Sequence, residues 1–399
     1  MKKILILTPR FPYPVIGGDK LRIYAICTEL SKKYSLTLVS ICGAKAELSM
    51  DIPNDGVFSH VERIYLPKWK SYLNTFLSIF SNKPLQIAYY SSSEFKSKVE
   101  GLYPNTDLVL AHLIRTSPYL DDLNEKPKIL EMTDAISLNY LRVKEKKSKK
   151  SLMELVYSFE QERLYNYEQS VLDKYDFVSV VSKVDQKFLL SNRNDSPSIV
   201  VAGNGVDCHK FPFVGANKSL ILVFIGNMST RQNIDACQHF IEDIMPLLNE
   251  GRREPFILKI IGIIPETVKE SFLKYPNVEV SGKVDIIAHE VRNVLCGVCA
   301  MRIGAGIQNK VLEYMAMGLP AVVSTVGAEG INASNNKDFI VANNPQNFTS
   351  SIVQLYHDAE FRDAISKNGR RFVENQLSWG SELKPLGDAV DSACQDWKV

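Results

Sequence analysis

A chain of 399 residues exceeds what one hydrophobic core usually serves and fits two domains of ordinary size. Its apolar share of 45% and charged share of 23% are those of a soluble globular protein, and a net charge of +2 argues against a bulk nucleic-acid binder. No segment approaches the roughly 18 to 20 uninterrupted apolar residues of a membrane span. The seven cysteines are scattered and odd in number, which speaks against a disulfide framework and points to the reducing cytosol.

The N-terminus, MKKILILTPRFPYP, pairs two lysines with an apolar run that covers only Ile4 to Leu7. It reads as a first buried β-strand and not as a signal peptide. A loop with Gly17 and Gly18 follows, then a helix from about Asp19 to Lys33 and a strand from Leu36 to Cys42, a βαβ unit with a glycine-bearing first turn. The glycine pair serves either as an ordinary turn or as a place where missing Cβ atoms let a substrate or phosphate approach the backbone. Further strands are expected at His60–Leu66, Asp107–Leu113, Lys128–Thr133, Phe177–Val181 and Ile199–Ala202.

His112 and Arg115 follow the apolar run LVLA, and Asp134 follows ILEMT, so both places sit at carboxyl ends of strands, where open α/β sheets bind ligands. A histidine there can meet a sugar hydroxyl or diphosphate oxygen, or stabilise charge at a reacting carbon; capping the next helix is the alternative. For Asp134 the N-cap or turn role is the stronger expectation. Tyr72, Leu73, Phe76, Leu77 and Phe80 form an apolar stripe at helical spacing, flanked by Lys68, Lys70 and Lys83, with Trp69 between the first two. Arg142 to Lys150 reads RVKEKKSKK. A core face and a solvated loop are the expected readings; the alternative is peripheral contact with an anionic membrane surface or lipid-linked acceptor.

The segment NGVDCHKFPFVGAN, 204–217, concentrates turn signals and marks a domain boundary. The α/β rhythm then restarts. Strands are expected at Leu220–Ile225, Phe256–Ile261, Val278–Val280, Val298–Ile303, Ala321–Thr325 and Phe339–Ala342, and a helix from about Asn233 to Leu248. Cys296 and Cys299 match C-x-x-C but lie at the entry to an apolar strand, so they read as buried hydrophobes. The chain has no Walker loop, H-E-x-x-H or D-x-D triplet, and no cofactor or metal is expected. Two helices, Phe348–Asp358 and Phe361–Asn375, precede a last segment, Ser378–Trp397, in which Pro385 should kink the helix or start it late.

The densest stretch is RIGAGIQNKVLEYMAMGLPAVVSTVGAEG, 302–330. Gly304 and Gly306 form a turn, a helix runs from about Gln308 to Met317, and Gly318 with Pro320 stops it. Val311, Leu312, Met315 and Ala316 share one face and should be core. A glycine turn feeding a helix N-terminus is an anion site, and Lys310 adds positive charge suited to phosphate. Glu313 matches a vicinal diol such as ribose, because a carboxylate accepts two hydrogen bonds. Phosphate with ribose means nucleotide. The competing reading is a surface ion pair between Lys310 and Glu313.

On TPRFPYPVIGG near the start, VVS at 180–182, AGNGVD at 202–207, FIGNMSTRQNIDA at 224–236 and above all GIQNKVLEYMAMGLPAVVST at 306–325, the chain resembles the family 4 retaining glycosyltransferases of the GT-B fold. The last two blocks, with HLIR at 112–115, are similar to the subgroup of sugar transferases associated with exopolysaccharide systems. The resemblance implies two Rossmann-like domains facing a central cleft. It places a first domain over 1–205, a donor domain over 206–378 and a closing helix over 379–399 that crosses back to the first domain.

It further implies a nucleotide-sugar donor, a glycan or lipid-linked acceptor, no cofactor, and a cytoplasmic protein at the inner face of the membrane. Residue by residue, it assigns ribose to Glu313 and the donor sugar and phosphates to Gly306, Ile307, Gln308, Asn309 and Lys310. Gly17 and Gly18 fall near the diphosphate, and His112 faces the donor sugar. Gly226 and Asn227 also lie on the donor side, and Arg115 and Asp134 on the acceptor side. Two places depart from the pattern: a glutamate common eight residues before the ribose-binding one is Ala305, and an Arg–Lys pair is replaced by Asn227 and Gln232. Arg231, Arg302 and Lys310 are the cations available to compensate. A nucleotide-sugar epimerase of the same fold and a non-catalytic nucleotide-sugar-binding scaffold remain the alternatives.

Overall fold

The computed structural model describes residues 1–145, 152–191, 193, 195, 197–304 and 306–396, with backbone alone over 143–145, 152–158 and 396. The greater part of the basic run 142–150, together with Ala305 and Trp397, therefore lies outside the described residues or their described side chains. The chain forms two compact units, Met1–Gly203 with Leu383–Val399, and Asn204–Glu382.

The first unit alternates strands and helices in chain order: β1 (Lys3–Thr8), α1 (Gly18–Ser31), β2 (Ser35–Cys42), β3 (His60–Tyr65), α2 (Lys68–Ser78), α3 (Leu85–Tyr89), α4 (Ser93–Leu102), β4 (Leu108–His112) and β5 (Lys128–Thr133). The helices α5 (Ile136–Glu145) and α6 (Leu152–Leu172) precede β6 (Phe177–Val180), α7 (Lys183–Leu190) and β7 (Ile199–Val201). The sheet order is β3-β2-β1-β4-β5-β6-β7, and neighbouring strands in it pair in parallel. Parallel sheets need both faces covered, which is why the strands read as continuous apolar runs; Ile4 to Leu7 and Leu108 to Ala111 are all fully buried. The order reverses between β1 and β4, and the carboxyl ends of those strands are where such sheets receive ligands.

The second unit repeats the scheme with β8 (Ile221–Ile225), α8 (Arg231–His239), α9 (Met245–Asn249), β9 (Ile257–Ile261), α10 (Glu266–Phe272), β10 (Val278–Gly282), α11 (Ile287–Glu290) and β11 (Cys296–Cys299). It continues with α12 (Asn309–Ala316), β12 (Ala321–Val323), β13 (Ile340–Val341), α13 (Pro345–His357), α14 (Ala359–Gln376) and α15 (Trp379–Glu382). Its parallel sheet runs β10-β9-β8-β11-β12-β13, with the reversal between β8 and β11. The last helix, α16 (Lys384–Asp396), belongs to the first unit. There Asp391 accepts from Lys33 Nζ at 2.7 Å and from Tyr34 Oη at 2.5 Å, and Lys2 Nζ donates to the Cys394 carbonyl. Pro385 occupies the second position of α16, where a missing N–H costs nothing.

The unit boundaries fall at 203/204 and 382/383, slightly off the expected 205/206 and 378/379. The two crossing segments lie together in the second unit: Val206 N–H donates to the Leu377 carbonyl at 2.8 Å. A Cβ on Gly205 would lie 2.4 Å from the Trp379 nitrogen, so only glycine permits this approach.

Three elements differ from the sequence reading. The strand expected at Val298–Ile303 begins at Cys296 and ends at Cys299, because its neighbour β12 ends at Val323 and offers no further ladder. The helix expected over 233–248 is α8 and α9 joined by a wide turn, Phe240–Ile244, since Pro246 has no N–H to continue the α-helical ladder. The stripe on α2, expected as a core face, is exposed: Tyr72 is 64% and Phe80 81% accessible. Cys296 and Cys299 are buried free thiols, as the apolar reading of that strand requires. Among the described residues no helix is long and apolar enough to cross a membrane.

Candidate functional site

In the second unit the site is built around α12. The helix ends as its sequence dictates: Gly318 takes φ 70°, its N–H donates to the Met315 carbonyl at 3.0 Å, and Leu319 N–H reaches the Tyr314 carbonyl at 2.9 Å. These two bonds satisfy carbonyls that the helix end would otherwise leave bare. Val311, Leu312, Met315 and Ala316 are buried as one face. Tyr314 locks the helix to the sheet. Its hydroxyl receives Ile225 N–H at 2.8 Å and donates to the Val298 carbonyl at 3.3 Å. Gly297 makes this possible, because a Cβ there would sit 2.4 Å from the tyrosine ring.

At the other end, Gly306 has φ 71°, a conformation glycine adopts without the strain of a side chain. Gln308 is the N-cap residue, Ile307 packs against the core, and Asn309 Oδ1 accepts from Asn204 Nδ2 at 2.9 Å. Lys310 stands in the first turn and is 8% exposed. Its ammonium donates to Asn233 Oδ1 at 2.9 Å and Gln308 Oε1 at 3.3 Å, and lies 5.2 Å from the centroid of the Phe224 ring. Among the described residues no carboxylate pairs with it. A cation at a helix N-terminus opposes the dipole, and a buried charge ordinarily has a counter-charge. The electrostatic influence of Lys310 reaches Glu313, one turn on, but without a hydrogen bond or ion pair between them.

Glu313 lies one turn further on, with a partly buried side chain that has no hydrogen-bond partner among the described residues. Burial raises its carboxyl above the ordinary range, while Lys310 and Lys210 act in the opposite sense. Lys310 and Glu313 form no ion pair, which removes the reading of them as a surface pair. Arg302 is differently placed: it forks onto Asp235, with Nη2–Oδ1 at 2.6 Å and Nε–Oδ2 at 3.1 Å, so a phosphate would have to compete with that carboxylate. Asn227 turns the chain into α8. Its Oδ1 accepts from Ser229 N–H at 2.9 Å and its carbonyl from Asn233 Nδ2 at 2.9 Å. Arg231 is the exposed first residue of α8. Gly226 lies against Gly262, where a Cβ on the latter would fall 1.9 Å from the Gly226 carbonyl oxygen.

In the first unit a second polar group gathers at the carboxyl ends of β4 and β5. His112, 2% exposed, meets Glu131 Oε2 through Nδ1 at 2.5 Å. An ionised carboxylate can only accept, so Nδ1 carries the proton in this hydrogen bond, which fixes the orientation of the ring. The fully buried Arg22 of α1 donates through Nε to Glu131 Oε1 at 2.7 Å and through its other nitrogens to the carbonyls of Ala202 at 2.8 Å and Gly203 at 3.0 Å. Burial alone would raise the Glu131 carboxyl, but Arg22 and His112 outweigh it and bring it down to about 2. Leu113, just after β4, and Thr133, the last residue of β5, have φ of 62° and 68°. Such backbone costs about 1 to 3 kcal/mol per residue and gathers at functional sites.

Asp134 does not cap the following helix. Ala135 N–H is bonded instead by Asp185 Oδ1 at 3.0 Å, and the Asp134 carboxylate accepts from Asn139 Nδ2 at 2.9 Å. Burial, then repulsion from Asp185, pushes Asp134 up to about 7, with Arg115 acting against them. Arg115 itself donates to Gln86 Oε1 at 3.0 Å and stacks over Tyr90 at 5.6 Å. Gly17, with φ 103°, precedes the first residue of α1, Gly18. Arg22, Glu131, Asn204, Asn233, Gly297 and Tyr314 were not singled out from the sequence. Of these only Glu131 carried a signal, as a lone acidic residue inside the buried run KILEMT. Among the described residues no three His, Cys, Asp or Glu side chains gather as metal ligands.

Residues 219–358 match the family model described as glycosyl transferases group 1. An uncharacterized glycosyltransferase of Methanocaldococcus jannaschii is 23% identical over 263 residues, which is 59% of this chain and 64% of the length of that relative. Among solved structures, sucrose-phosphate synthase from Thermosynechococcus elongatus superposes with a TM-score of 0.74 at 12% identity, covering 98% of this chain and 99% of that one. HepE from Anabaena, in complex with UDP, does so with a TM-score of 0.66 at 13% identity, over 98% and 100% of the two chains. At this identity the likeness is one of fold. The chain has the GT-B architecture of two Rossmann-like domains.

Proposed function

We propose that this chain transfers a sugar from a nucleoside diphosphate donor to a glycan or lipid-linked acceptor in surface or exopolysaccharide synthesis, with retention at the anomeric carbon and without a metal. The observation that carries the reading is the pair on α12: among the described residues, a buried ammonium at Lys310 that pairs with no carboxylate and a carboxyl at Glu313 that receives no hydrogen bond, one turn apart at a helix N-terminus. A diphosphate supplies the anion and a ribose diol supplies the donors. The match of 219–358 to group 1 glycosyl transferases supports this, and so does the shared fold of HepE, whose structures hold UDP and UDP-glucose.

In this reading Lys310 and the N–H groups that open α12, apart from that of Val311, which donates to the Gln308 carbonyl at 2.9 Å, stabilise the diphosphate as it departs. The acceptor hydroxyl attacks on the face the diphosphate leaves. His112, held in orientation by Glu131, keeps Nε2 for the reacting sugar. Most of the rate gain is then electrostatic and positional.

Titration calorimetry with UDP, GDP, ADP and CMP sugars tests the donor half. Glu313→Ala should weaken binding by about 1.5 to 3 kcal/mol, the worth of a hydrogen bond to a charged group, and unchanged affinity would remove Glu313 from the site. Incubation with and without cell-derived lipid acceptors tests the reaction. Acceptor-dependent release of nucleotide supports transfer. A sugar altered without acceptor indicates an epimerase, and binding without turnover indicates a scaffold.

A further inference from the structure

The helix α2 is mounted inside out. Its polar residues face the protein: Ser71 and Ser78 are buried, and Asn74 Nδ2 donates to the Ser91 carbonyl at 2.9 Å. Its apolar residues face solvent. Trp69, Tyr72, Leu73, Phe76 and Leu77, with Phe80 just beyond the helix end, recur at the i, i+3, i+4 spacing of one face, and their exposure runs from 47% to 81%. The side chains touch one another as a patch, with Phe76 and Phe80 in edge contact at 6.1 Å and Tyr72 against Tyr89 at 5.9 Å. Single exposed apolar residues are ordinary on a protein surface, whereas a continuous aromatic face is an interaction site.

The helix is fixed in this pose. Arg163 of α6, paired with Glu160 at 2.7 Å, donates to the Ser78 carbonyl at 2.8 Å, the Lys83 carbonyl at 2.6 Å and the Ser81 carbonyl. The same guanidinium stacks 4.7 Å over Phe159, itself 50% exposed, which extends the aromatic surface onto α6.

Charge selects the occupant. Between Glu62 and Glu94 the chain has no acidic residue, while Lys68 and Lys70 sit on α2 and bracket Trp69. An aromatic stripe edged by lysines, on a stretch of chain without acidic residues, complements the headgroup region of an anionic bilayer, where Trp and Tyr settle and lysines meet lipid phosphate. With 11 residues the helix is far too short to span a membrane and is suited to lie in its surface.

We infer that α2, with Phe80, is a surface anchor that seats the first unit on an anionic membrane. The inference stands on this face alone and does not require the donor site to be catalytic.

The test is sedimentation of the full chain, without donor sugar, with vesicles of phosphatidylcholine alone and vesicles rich in phosphatidylglycerol, alongside the part of the tryptophan emission that is lost in Trp69→Ser, since Trp379 and Trp397 also emit. Anionic vesicles should carry the protein down and shift the tryptophan emission to the blue. Trp69→Ser with Phe80→Ser replaces exposed side chains, should leave the thermal midpoint in place, and should weaken vesicle binding about ten-fold or more. Lys68→Glu with Lys70→Glu should weaken it about twenty-five-fold or more, at roughly five-fold per lysine removed. Equal binding to neutral and anionic vesicles would overturn the assignment of an anionic surface. Failure to bind either, with a dimer in solution that the Ser variant dissolves, would give the face to a second copy of the chain. A monomer that binds neither would overturn the inference outright.

Discussion

Replacing Glu131 by Gln removes one charge from a buried network without changing its shape. The carboxylate is fully buried and receives Arg22 Nε at 2.7 Å, His112 Nδ1 at 2.5 Å and Thr133 N–H at 3.0 Å. Breaking a buried ion pair by removing one partner typically costs about 3 to 5 kcal/mol, because the remaining charge is left uncompensated. Here Arg22 keeps the Ala202 and Gly203 carbonyls at 2.8 and 3.0 Å, so the loss should fall at the lower end, about 3 kcal/mol. For a unit of this size that corresponds to a melting shift of roughly 6 to 12 °C. Urea unfolding followed by circular dichroism measures the loss, and hydrogen exchange at β4 and β5 assigns it to the first unit. The joint replacement Arg22→Met with Glu131→Leu should recover most of it, since a buried pair exchanged for apolar groups of similar volume is often neutral. Acid supplies a further check. The folded carboxyl is held near 2 against an ordinary 4.5, so its stabilisation is complete above pH 4.5 and is lost as pH falls toward 2. Wild type and Gln variant should converge there. A loss below about 0.5 kcal/mol at neutral pH, within the range of a surface substitution, would refute the electrostatic account of this network.

Two more outcomes follow from the packing. Gly297→Ala drives a Cβ to within 2.4 Å of the Tyr314 ring, so α12 must shift. Stability should fall by about 1 to 3 kcal/mol, and donor affinity should weaken with it in calorimetry, although residue 297 touches no substrate. Glu168 is buried and accepts from Ser137 N–H at 3.1 Å and from the Ser137 hydroxyl; burial, partly offset by these bonds, raises its carboxyl from the ordinary 4.5 to about 8. Its effect is opposite in sign to that of Glu131: stability is intact below pH 4.5 and falls as pH rises toward 8, because the unfolded chain ionises first. Glu168→Gln should flatten that slope in melts taken across pH 5 to 8, and an unchanged slope would show that the carboxyl is ionised in the fold.

The strands and the site helix were legible because both follow from local pattern. Buried parallel strands read as apolar runs, and Gly318 with Pro320 stops α12 by backbone chemistry alone. The site's supports were not legible, since each joins residues far apart in the chain. Asn233 holds Lys310, Asn204 holds Asn309, Gly297 admits Tyr314, and Arg22 reaches Glu131 across more than a hundred residues. The stripe on α2 misled for a different reason. Helical spacing says that apolar residues share a face, but it does not say whether that face meets core or solvent. The pairing of Arg302 with Asp235 was likewise not legible, because Asp235 lies on another element.

Because α16 belongs to the first unit while 204–382 forms the second, the second unit is in sequence terms an insertion within the first. Vectorial synthesis therefore finishes every residue of the inserted unit before the helix that meets Lys33 and Tyr34 exists. The nascent first unit waits, its β7 side and its Lys2 contact still open, while a complete neighbour forms downstream. A stop codon near residue 383 would accordingly spare the fold of the unit that carries Lys310 and Glu313 and injure the one that carries His112.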